Sequence, residues 1–516
     1  MGGFYGVASK TDCARDLFYG TDYHCHLGTR RGGMAVKNRN GFARFIHDIT
    51  NSQFRSKFED DLPKLRGKLG IGVISDYEDQ PLIIGSHLGT YALVTVGRIQ
   101  NLKELAAEAF CRPGVHFSEM TANGLNPTEL VATLINQQES FEDGIRHVQE
   151  VIEGSCSLLL LTGSAIYAAR DRLGRTPVVL GRRADGYAAT SETCALANLR
   201  YEVSRYLGPG EIVRMTAEGV ETLKPPGSPM QICAFLWVYY GFPASSYEGI
   251  NVEVVRTRCG AALARADRCE VDLVAGIPDS GTGHAIGYAN ASGVAYGRPF
   301  TKYTPTWPRS FMPQDQRVRD LVARMKLIPI RELIEGKRLL FCEDSIVRGT
   351  QLKDTIRLLF HHGAREVHMR PACPPLIYGC KFLNFSRSRS ELDLAARRAI
   401  HEMDDDAALP REEFAHPDSE AQQAMVESVR KRLGLTSLRY QRLDDLVSAI
   451  GLPKEKLCTY CWDGAEPCAT CPAMAGASAA VAVGAAAAPA KPAGRASAAA
   501  TPPIGAGKRI RRAKPR

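Results

Sequence analysis

The chain has no apolar run long enough to span a bilayer and no secretory signal ahead of its first charged residues. The opening MGGFYGVAS lacks a basic n-region and a cleavage site, and Lys10 and Asp12 follow at once. These absences predict a protein that is neither secreted nor integral to a membrane, and we expect a cytoplasmic location. Cysteines in that reducing compartment are not expected to form a disulfide framework. We therefore expect four lone cysteines to be small core residues: Cys25, Cys111, Cys156 and Cys194.

Acidic and aromatic residues are absent from residues 472–516, which hold eight of the basic residues. Without this tail the net charge falls from +9 to about +1, so the body of the protein lacks the excess positive charge typical of nucleic-acid binding. The tail consists mainly of Ala, Gly and Pro, which cannot bury enough surface to fold. We expect a disordered appendage, with a docking arm for an acidic partner or nucleic acid as the alternative.

Two composition patterns divide the rest of the chain. In residues 1–225, short apolar runs such as LGIGVIS and YALVTVGRI alternate with helical patterns such as NPTELVATLINQ. This predicts an α+β domain of packed antiparallel sheets, and the apolar opening predicts a buried first strand. In residues 226–471, strands alternate with amphipathic helices, which predicts an α/β domain with a doubly wound parallel sheet. LKPPGSP, residues 223–229, is the predicted connector.

The most informative stretch is LLFCEDSIVRGTQL, residues 339–352, where an apolar strand ends in two acids and a short loop leads into a helix. Ligands of parallel sheets bind beyond the carboxyl ends of strands, where loop N–H groups and a helix N-terminus form a phosphate cradle. Gly349 permits close approach of the backbone, while hydroxyl groups nearby can donate hydrogen bonds. Glu343 and Asp344 would repel a phosphate, so we expect them to face ribose hydroxyls or a magnesium ion.

This stretch resembles the 5-phosphoribosyl-1-pyrophosphate (PRPP) signature of type I phosphoribosyltransferases. It resembles most closely the glutamine PRPP amidotransferase family, in which two Asp residues precede S-I-V-R-G-T; here Glu343 replaces the first. RDRLGRTPVVLG, SETCALANL and LGPGEIV resemble the amidotransferase half of that family. The resemblance reaches about residue 465. It implies an αββα sandwich of the class II glutamine amidotransferase (N-terminal-nucleophile hydrolase) type, followed by a type I phosphoribosyltransferase domain.

The resemblance also implies roles for individual residues. IPDSGTGHAIGYANASG, residues 277–293, is similar to the pyrophosphate loop, and residues 309–338 are similar to the flexible loop that folds over the substrate. From the flexible loop, Arg309, Arg324 and Lys326 would bring positive charge to the diphosphate. The implied catalytic residues are Glu343, Asp344, Arg309 and Lys326, and the implied magnesium contacts are Ser280, Glu343 and Asp344. The implied substrate-binding residues are Asp279, Ser280, Gly281, Ser345, Ile346, Val347, Arg348, Gly349 and Thr350.

Four cysteines stand where iron–sulfur members of the family hold a 4Fe–4S cluster, and the resemblance implies that cofactor. They are Cys233, Cys380, Cys458 and Cys461. The additional Cys468 and Cys471 leave an alternative, because CTYCWDGAEPCATC has the spacing of a zinc knuckle held by Cys458, Cys461, Cys468 and Cys471. With either metal we expect a structural role.

The residues of glutamine hydrolysis are missing. Family members begin their mature chain with C-G-(I/V)-x-G, whose cysteine attacks the glutamine amide; this chain has Gly2 there, and Cys13 is not followed by the strand motif. The family's H-R-G-Q-(E/D) becomes HLGTR at 26–30. Its glutamine-binding arginine falls at Ser75 and its oxyanion-hole Asn-Gly at Val96-Gly97. Together these losses predict a fold that is retained without its glutaminase.

We therefore expect an amidophosphoribosyltransferase-like enzyme of purine biosynthesis, which joins nitrogen to C1 of PRPP with magnesium and releases pyrophosphate. The nitrogen would come from free ammonia or from a partner glutaminase. One alternative is a non-catalytic regulatory paralogue that binds PRPP or a nucleotide. Another is a glutamine-using enzyme with a rebuilt first site, although the N-terminus shows no second nucleophile. The resemblance further implies a homo-oligomer.

Overall fold

The structure is a computed structural model, and it describes residues 2–112, 114–121, 124–302, 327–383, 391–403 and 412–466. These residues belong to one compact unit, Met1–Ala469. Several residues singled out above lie outside the described ranges, together with the tail at 472–516: Arg309, Arg324, Lys326, Cys468 and Cys471. No helix within the described ranges combines the length and apolarity that crossing a bilayer requires.

Two antiparallel sheets form the first half of the chain. The first has seven strands, in the order Glu202–Tyr206, Val179–Arg183, Gly186–Thr190, Gly3–Ser9, Leu69–Ser75, Arg31–Asn38 and Gly41–Asp48. The second has six strands, in the order Val220–Lys224, Ile212–Met215, Ile166–Ala169, Gly154–Leu161, Gly89–Ile99 and Leu82–Ser86.

The two sheets pack face to face, with a core that includes Phe4, Ile71, Val94 and Leu159. Helices cover the outer face of each sheet. Ala14–Asp22, Phe54–Phe58 and Cys194–Ala197 lie on the first sheet, and Leu102–Phe110, Pro127–Ile135 and Phe141–Val151 on the second. The predicted αββα sandwich is therefore confirmed. The predicted first strand, Gly3–Ser9, is buried at every position because it is covered on both faces.

Capping residues mark the N-termini of two of these helices, where the sequence patterns predict helices. The side chain of Asn126 accepts a hydrogen bond from Thr128 N at 2.9 Å, and Pro127 occupies the first helical position, where its missing N–H costs nothing. Ser140 Oγ accepts from Asp143 N at 3.1 Å in the same way. Two acids in the first turn of that helix complement its dipole.

The second half contains a four-stranded parallel sheet in the order Leu273–Gly276, Arg338–Glu343, Glu366–Pro371 and Ser437–Leu438. Helices alternate with its strands, as the pattern predicts: Val252–Ala266, Thr282–Ser292, Thr350–His361, Ala395–Met403, Glu420–Leu433, Leu443–Ile450 and Tyr460–Asp463. Paired short strands complete this half: Ile232–Cys233 with Leu457–Cys458, Ser246–Tyr247 with Ile250–Asn251, and Phe300–Lys302 with Leu327–Pro329. The proposed domain boundary near residue 225 falls just after Lys224, which ends the second sheet.

One expectation about the lone cysteines is wrong. Cys156 and Cys194 are buried as predicted, but Cys25 is half-buried and Cys111 is exposed. Cys111 follows the end of the helix Leu102–Phe110, beyond the turns that face the core. Its apolar neighbours in sequence therefore gave no information about its burial.

Candidate functional site

The acid pair lies at the carboxyl edge of the parallel sheet. Glu343 is the last residue of an interior strand, and Asp344, only 5% exposed, begins the loop that follows. Ser345 Oγ donates to Asp344 Oδ1 at 2.5 Å, and Asp344 N donates to Glu343 Oε1 at 3.2 Å. Burial, followed by the charge of Asp344, raises the pKa of Glu343 well above its usual range. Two crowded carboxyl groups at a strand end are suited to a divalent cation.

The predicted pyrophosphate loop meets this edge from the neighbouring strand. A Cβ atom on Gly281 would lie 2.3 Å from Cys342 O, so only glycine permits this approach of the loop to the acid-bearing strand. Ile277 N donates to Cys342 O at 3.0 Å and fixes the register. As a result, the side chain of Ser280 acts on the carboxyl group of Glu343, as expected of residues that share one cation.

The loop after the acids leads into the helix Thr350–His361. Gly349 adopts φ 74° immediately before it, a backbone conformation that favours glycine. Ile346 is buried in the core, and Val347 O accepts from Ala395 N at 2.7 Å. These two residues therefore hold the loop in place by packing and backbone contact. The helix N-terminus and the loop backbone remain as the groups suited to a phosphate.

Two cations near the site were missed by sequence reasoning. Lys302 Nζ lies 2.6 Å from Asp279 Oδ2 and offsets an exposed carboxylate in the pyrophosphate loop. Arg256 is 3% exposed, donates to the carbonyls of Trp237 and Gly241, and acts electrostatically on Asp344. Burial lowers the pKa of Arg256. Each is a single basic residue outside any motif, so only the folded contacts reveal its position.

The positions that the resemblance assigns to glutamine hydrolysis also come together. A Cβ atom on Gly2 would lie 2.4 Å from Ile74 O and 3.5 Å from Ser75 Cα, so these two positions are adjacent. Val96 is 5% exposed and belongs to the core between the sheets. A buried valine offers no donor to an oxyanion. Cys13 is fully buried, and burial raises the pKa of its thiol far above the ordinary value.

Gln80 and Glu78 occupy the segment that follows Ser75. The side chain of Gln80 accepts from Thr95 N at 2.7 Å and donates to Thr95 O at 3.2 Å, which imitates a strand partner one residue before Val96. Its Nε2 also donates to Glu78 Oε1 at 2.8 Å. Burial raises the pKa of Glu78, while hydrogen bonds from Ser75 and Gln80 oppose that shift. The polar groups of Gln80 and Glu78 are thus hydrogen-bonded within the protein.

Glu192, from the SETCALANL motif, joins the two halves of the chain. It is 1% exposed, lies 2.9 Å from His26 Nε2, and accepts hydrogen bonds from Ser245 Oγ at 3.2 Å and Tyr247 OH. Burial alone would raise its pKa, but His26 and Tyr247 hold it at about 2. His26 begins the altered HLGTR segment, which therefore retains a structural partner.

The four cysteines expected to hold iron line one cavity, together with Phe235, Phe382, Leu383 and Trp462. Cys233 pairs with Cys458 between two short parallel strands, and Cys461 contacts Cys380. Within the described ranges, no three His, Cys, Asp or Glu side chains converge as a site for one metal ion.

Comparisons with known proteins agree with both halves of this architecture. A curated amidophosphoribosyltransferase from Mycobacterium tuberculosis is 31% identical over 478 residues, which cover 90% of this chain and 86% of that protein. Another from Methanothermobacter thermautotrophicus is 29% identical over 483 residues, covering 90% of this chain and 93% of that protein. The family described as "Glutamine amidotransferase domain" matches residues 67–198.

Solved structures show the same fold over nearly the whole chain. The glutamine PRPP amidotransferase from Bacillus subtilis, complexed with ADP and GMP, has a TM-score of 0.77 and 26% identity and covers 90% of this chain and 97% of that chain. A second solved structure, described as the allosteric regulatory enzyme of purine biosynthesis, has a TM-score of 0.78 at the same identity. The sequence similarity, the sandwich and the parallel sheet with its acid pair lead to one conclusion: this chain belongs to the amidophosphoribosyltransferase family.

Proposed function

We propose that this chain joins nitrogen from ammonia to C1 of PRPP, using magnesium, and releases pyrophosphate. The observation that carries the proposal is the acid pair Glu343 and Asp344 with Ser280 beside it, at an edge where two loops lead into helices. The relatives' shared name supports the reaction. The similarity to the glutamine PRPP amidotransferase from Bacillus subtilis supports PRPP as the substrate.

The residues present suit the chemistry. Glu343, Asp344 and Ser280 offer oxygen ligands for magnesium, which when bound offsets the charge that develops on the departing diphosphate. Lys302 adds positive charge beside the pyrophosphate loop. Backbone N–H groups after Asp344 bind the other phosphate. The ammonia lone pair forms the C1–N bond as the C1–O bond breaks; the bonding electrons leave with pyrophosphate, and the new ammonium group loses one proton.

We propose that the first half performs no glutamine hydrolysis. Gly2 has no nucleophilic side chain, and the adjacent Ser75 is too short to replace an arginine that binds glutamine. Val96 packs in the core instead of donating to an oxyanion. Ammonia would then arrive free or from a partner glutaminase.

The test is pyrophosphate release from PRPP by the purified full chain with magnesium, with ammonium chloride or glutamine as the nitrogen source. Release with ammonium alone is expected. Release with both would contradict the loss of the glutaminase. PRPP binding without release would favour a non-catalytic PRPP-binding paralogue. Asp344→Asn should abolish release, whereas Asp354→Asn, at a carboxylate that is 71% exposed, is the matched control.

We infer that Cys233, Cys380, Cys458 and Cys461 hold a 4Fe–4S cluster, because all four line one cavity. Iron and sulfide analysis of anaerobically purified protein tests this. Zinc without iron would favour the knuckle that includes Cys468 and Cys471. We also propose a cytoplasmic homo-oligomer, and light scattering of the full chain tests the oligomeric state.

A further inference from the structure

Arg175 belongs to the first half of the chain but lies at the four-cysteine cavity of the second. It follows the strand Ile166–Ala169 in the RDRLGRTPVVLG motif and is 4% exposed. Its backbone oxygen accepts a hydrogen bond from Cys233 N at 3.3 Å, and its own backbone N–H donates to Asp171 Oδ1 at 3.1 Å. These two contacts fix the loop that carries the arginine against a cysteine of the cavity.

The guanidinium of Arg175 is aimed at the cavity wall. Its central carbon lies 3.6 Å from the ring centroid of Phe382, which lines the cavity, and Nη1 donates to Gly154 O at 3.1 Å. The charge of the guanidinium acts on the side chain of Cys458. Its buried Nε–H has no acceptor among the described residues.

A buried cation is costly unless negative charge lies nearby. Within the described ranges, the guanidinium of Arg175 contacts a carbonyl and an aromatic face, and neither of these groups is a carboxylate. A cluster held by four thiolates would supply that negative charge. Hydrogen bonds and positive charge at cluster sulfurs favour the more negative, reduced state and raise the reduction potential.

We propose that Arg175 sets the reduction potential of a 4Fe–4S cluster at these cysteines through its buried positive charge and its unpartnered Nε–H beside the cavity. The inference rests on the cluster assigned under the proposed function. It makes the first half of the chain, which lacks the residues of a glutaminase, a contributor to the electronic properties of a cofactor bound by the second half.

The test is a potentiometric titration of the anaerobically purified full chain, followed by electron paramagnetic resonance. Arg175→Met should shift the midpoint potential to a more negative value, because it removes both the charge and the N–H donors. Arg175→Lys keeps the charge without the planar fork and should give an intermediate value. Arg98→Met is the matched control, because Arg98 donates to the backbone oxygen of Cys380 at 2.9 Å and to no sulfur.

An unchanged potential in Arg175→Met, or an equal shift in Arg98→Met, would overturn the inference. A parent protein that contains zinc or no iron would also overturn it, together with the cluster assignment. Pyrophosphate release is measured separately, so failure of the transferase proposal leaves the comparison of potentials intact. If Arg175→Met does not fold, Arg175→Lys against the parent carries the test.

Discussion

The two halves of this chain differ in the side chains at the positions that the resemblance assigns to catalysis. At the sheet edge of the second half, Glu343, Asp344 and Ser280 are polar and crowded, and Asp344 N donates to Glu343 Oε1. At the corresponding positions of the first half, Gly2 has no side chain and Val96 is packed in the core. Yet the sandwich around those positions is complete. The sandwich therefore does not depend on polar side chains at these positions, because apolar packing specifies the sheets and a few polar residues specify the chemistry.

The largest difference between the halves should appear in the transferase reaction. Asp344→Asn removes a charge from the cation site, and we expect ammonium-dependent pyrophosphate release to fall by about 100-fold or more. Ser75→Ala should leave that rate unchanged, because Ser75 lies in the first half, at the position that the resemblance assigns to glutamine binding. Equal losses in the two variants would mean that the first half still takes part in the chemistry.

The next largest effect concerns stability and Glu192, whose carboxylate contacts residues of both halves. Glu192→Gln replaces an acceptor of several hydrogen bonds by a group that also donates, so the free energy of unfolding should fall by about 3 kcal/mol. Denaturant unfolding at neutral pH measures the change. Glu221→Gln, at a side chain that is 62% exposed, should change stability by less than about 0.5 kcal/mol.

The same carboxylate predicts a pH dependence. The pKa of Glu192 is lowered to about 2, so its stabilisation is present above the unfolded value near 4.5 and is lost as the pH falls towards 2. The parent should therefore lose stability in this window, and the difference from Glu192→Gln should shrink. A constant difference between the two proteins from pH 7 to pH 3 would contradict the assignment.

A smaller effect tests the close approach of the pyrophosphate loop to the strand that carries Glu343. Gly281→Ala would place its Cβ 2.3 Å from Cys342 O, so the pyrophosphate loop must shift. We expect a loss of about 1–3 kcal/mol in stability and a raised KM for PRPP. Gly85→Ala, with no atom within 4 Å of its Cβ, is the control and should cost under about 0.5 kcal/mol. A normal KM in Gly281→Ala would show that the loop contact is not required for binding.

The smallest expected effect is a pH dependence of stability that arises from Glu78 in the first half. Burial raises the pKa of Glu78, so the folded state favours its protonated form, and stability should decrease as the pH rises through that raised pKa. Glu78→Gln should remove this slope, with a gain of about 1 kcal/mol or less at neutral pH. Thermal unfolding from pH 4 to pH 8 measures it; parallel curves for the two proteins would contradict the prediction.

Strands, helices and the acid pair were predictable because each has a local pattern: apolar alternation, caps such as Asn126, or acids at a strand end. Arg256, Lys302 and Glu192 were not, since each acts through contacts with distant segments, as Glu192 does with Tyr247. Cys111 was predicted wrongly because burial depends on where a helix ends against the core. Arg309 and Lys326 remain predictions, as they lie outside the described ranges.

The pairing of Cys233 with Cys458 has a consequence for biosynthesis. These cysteines lie more than two hundred residues apart, so the wall of the cavity cannot close until almost the whole unit has left the ribosome. Cys461 follows on the last described helix. A 4Fe–4S cluster of the kind proposed, delivered to the nascent chain, would find an incomplete set of thiols, so its insertion would be a late step.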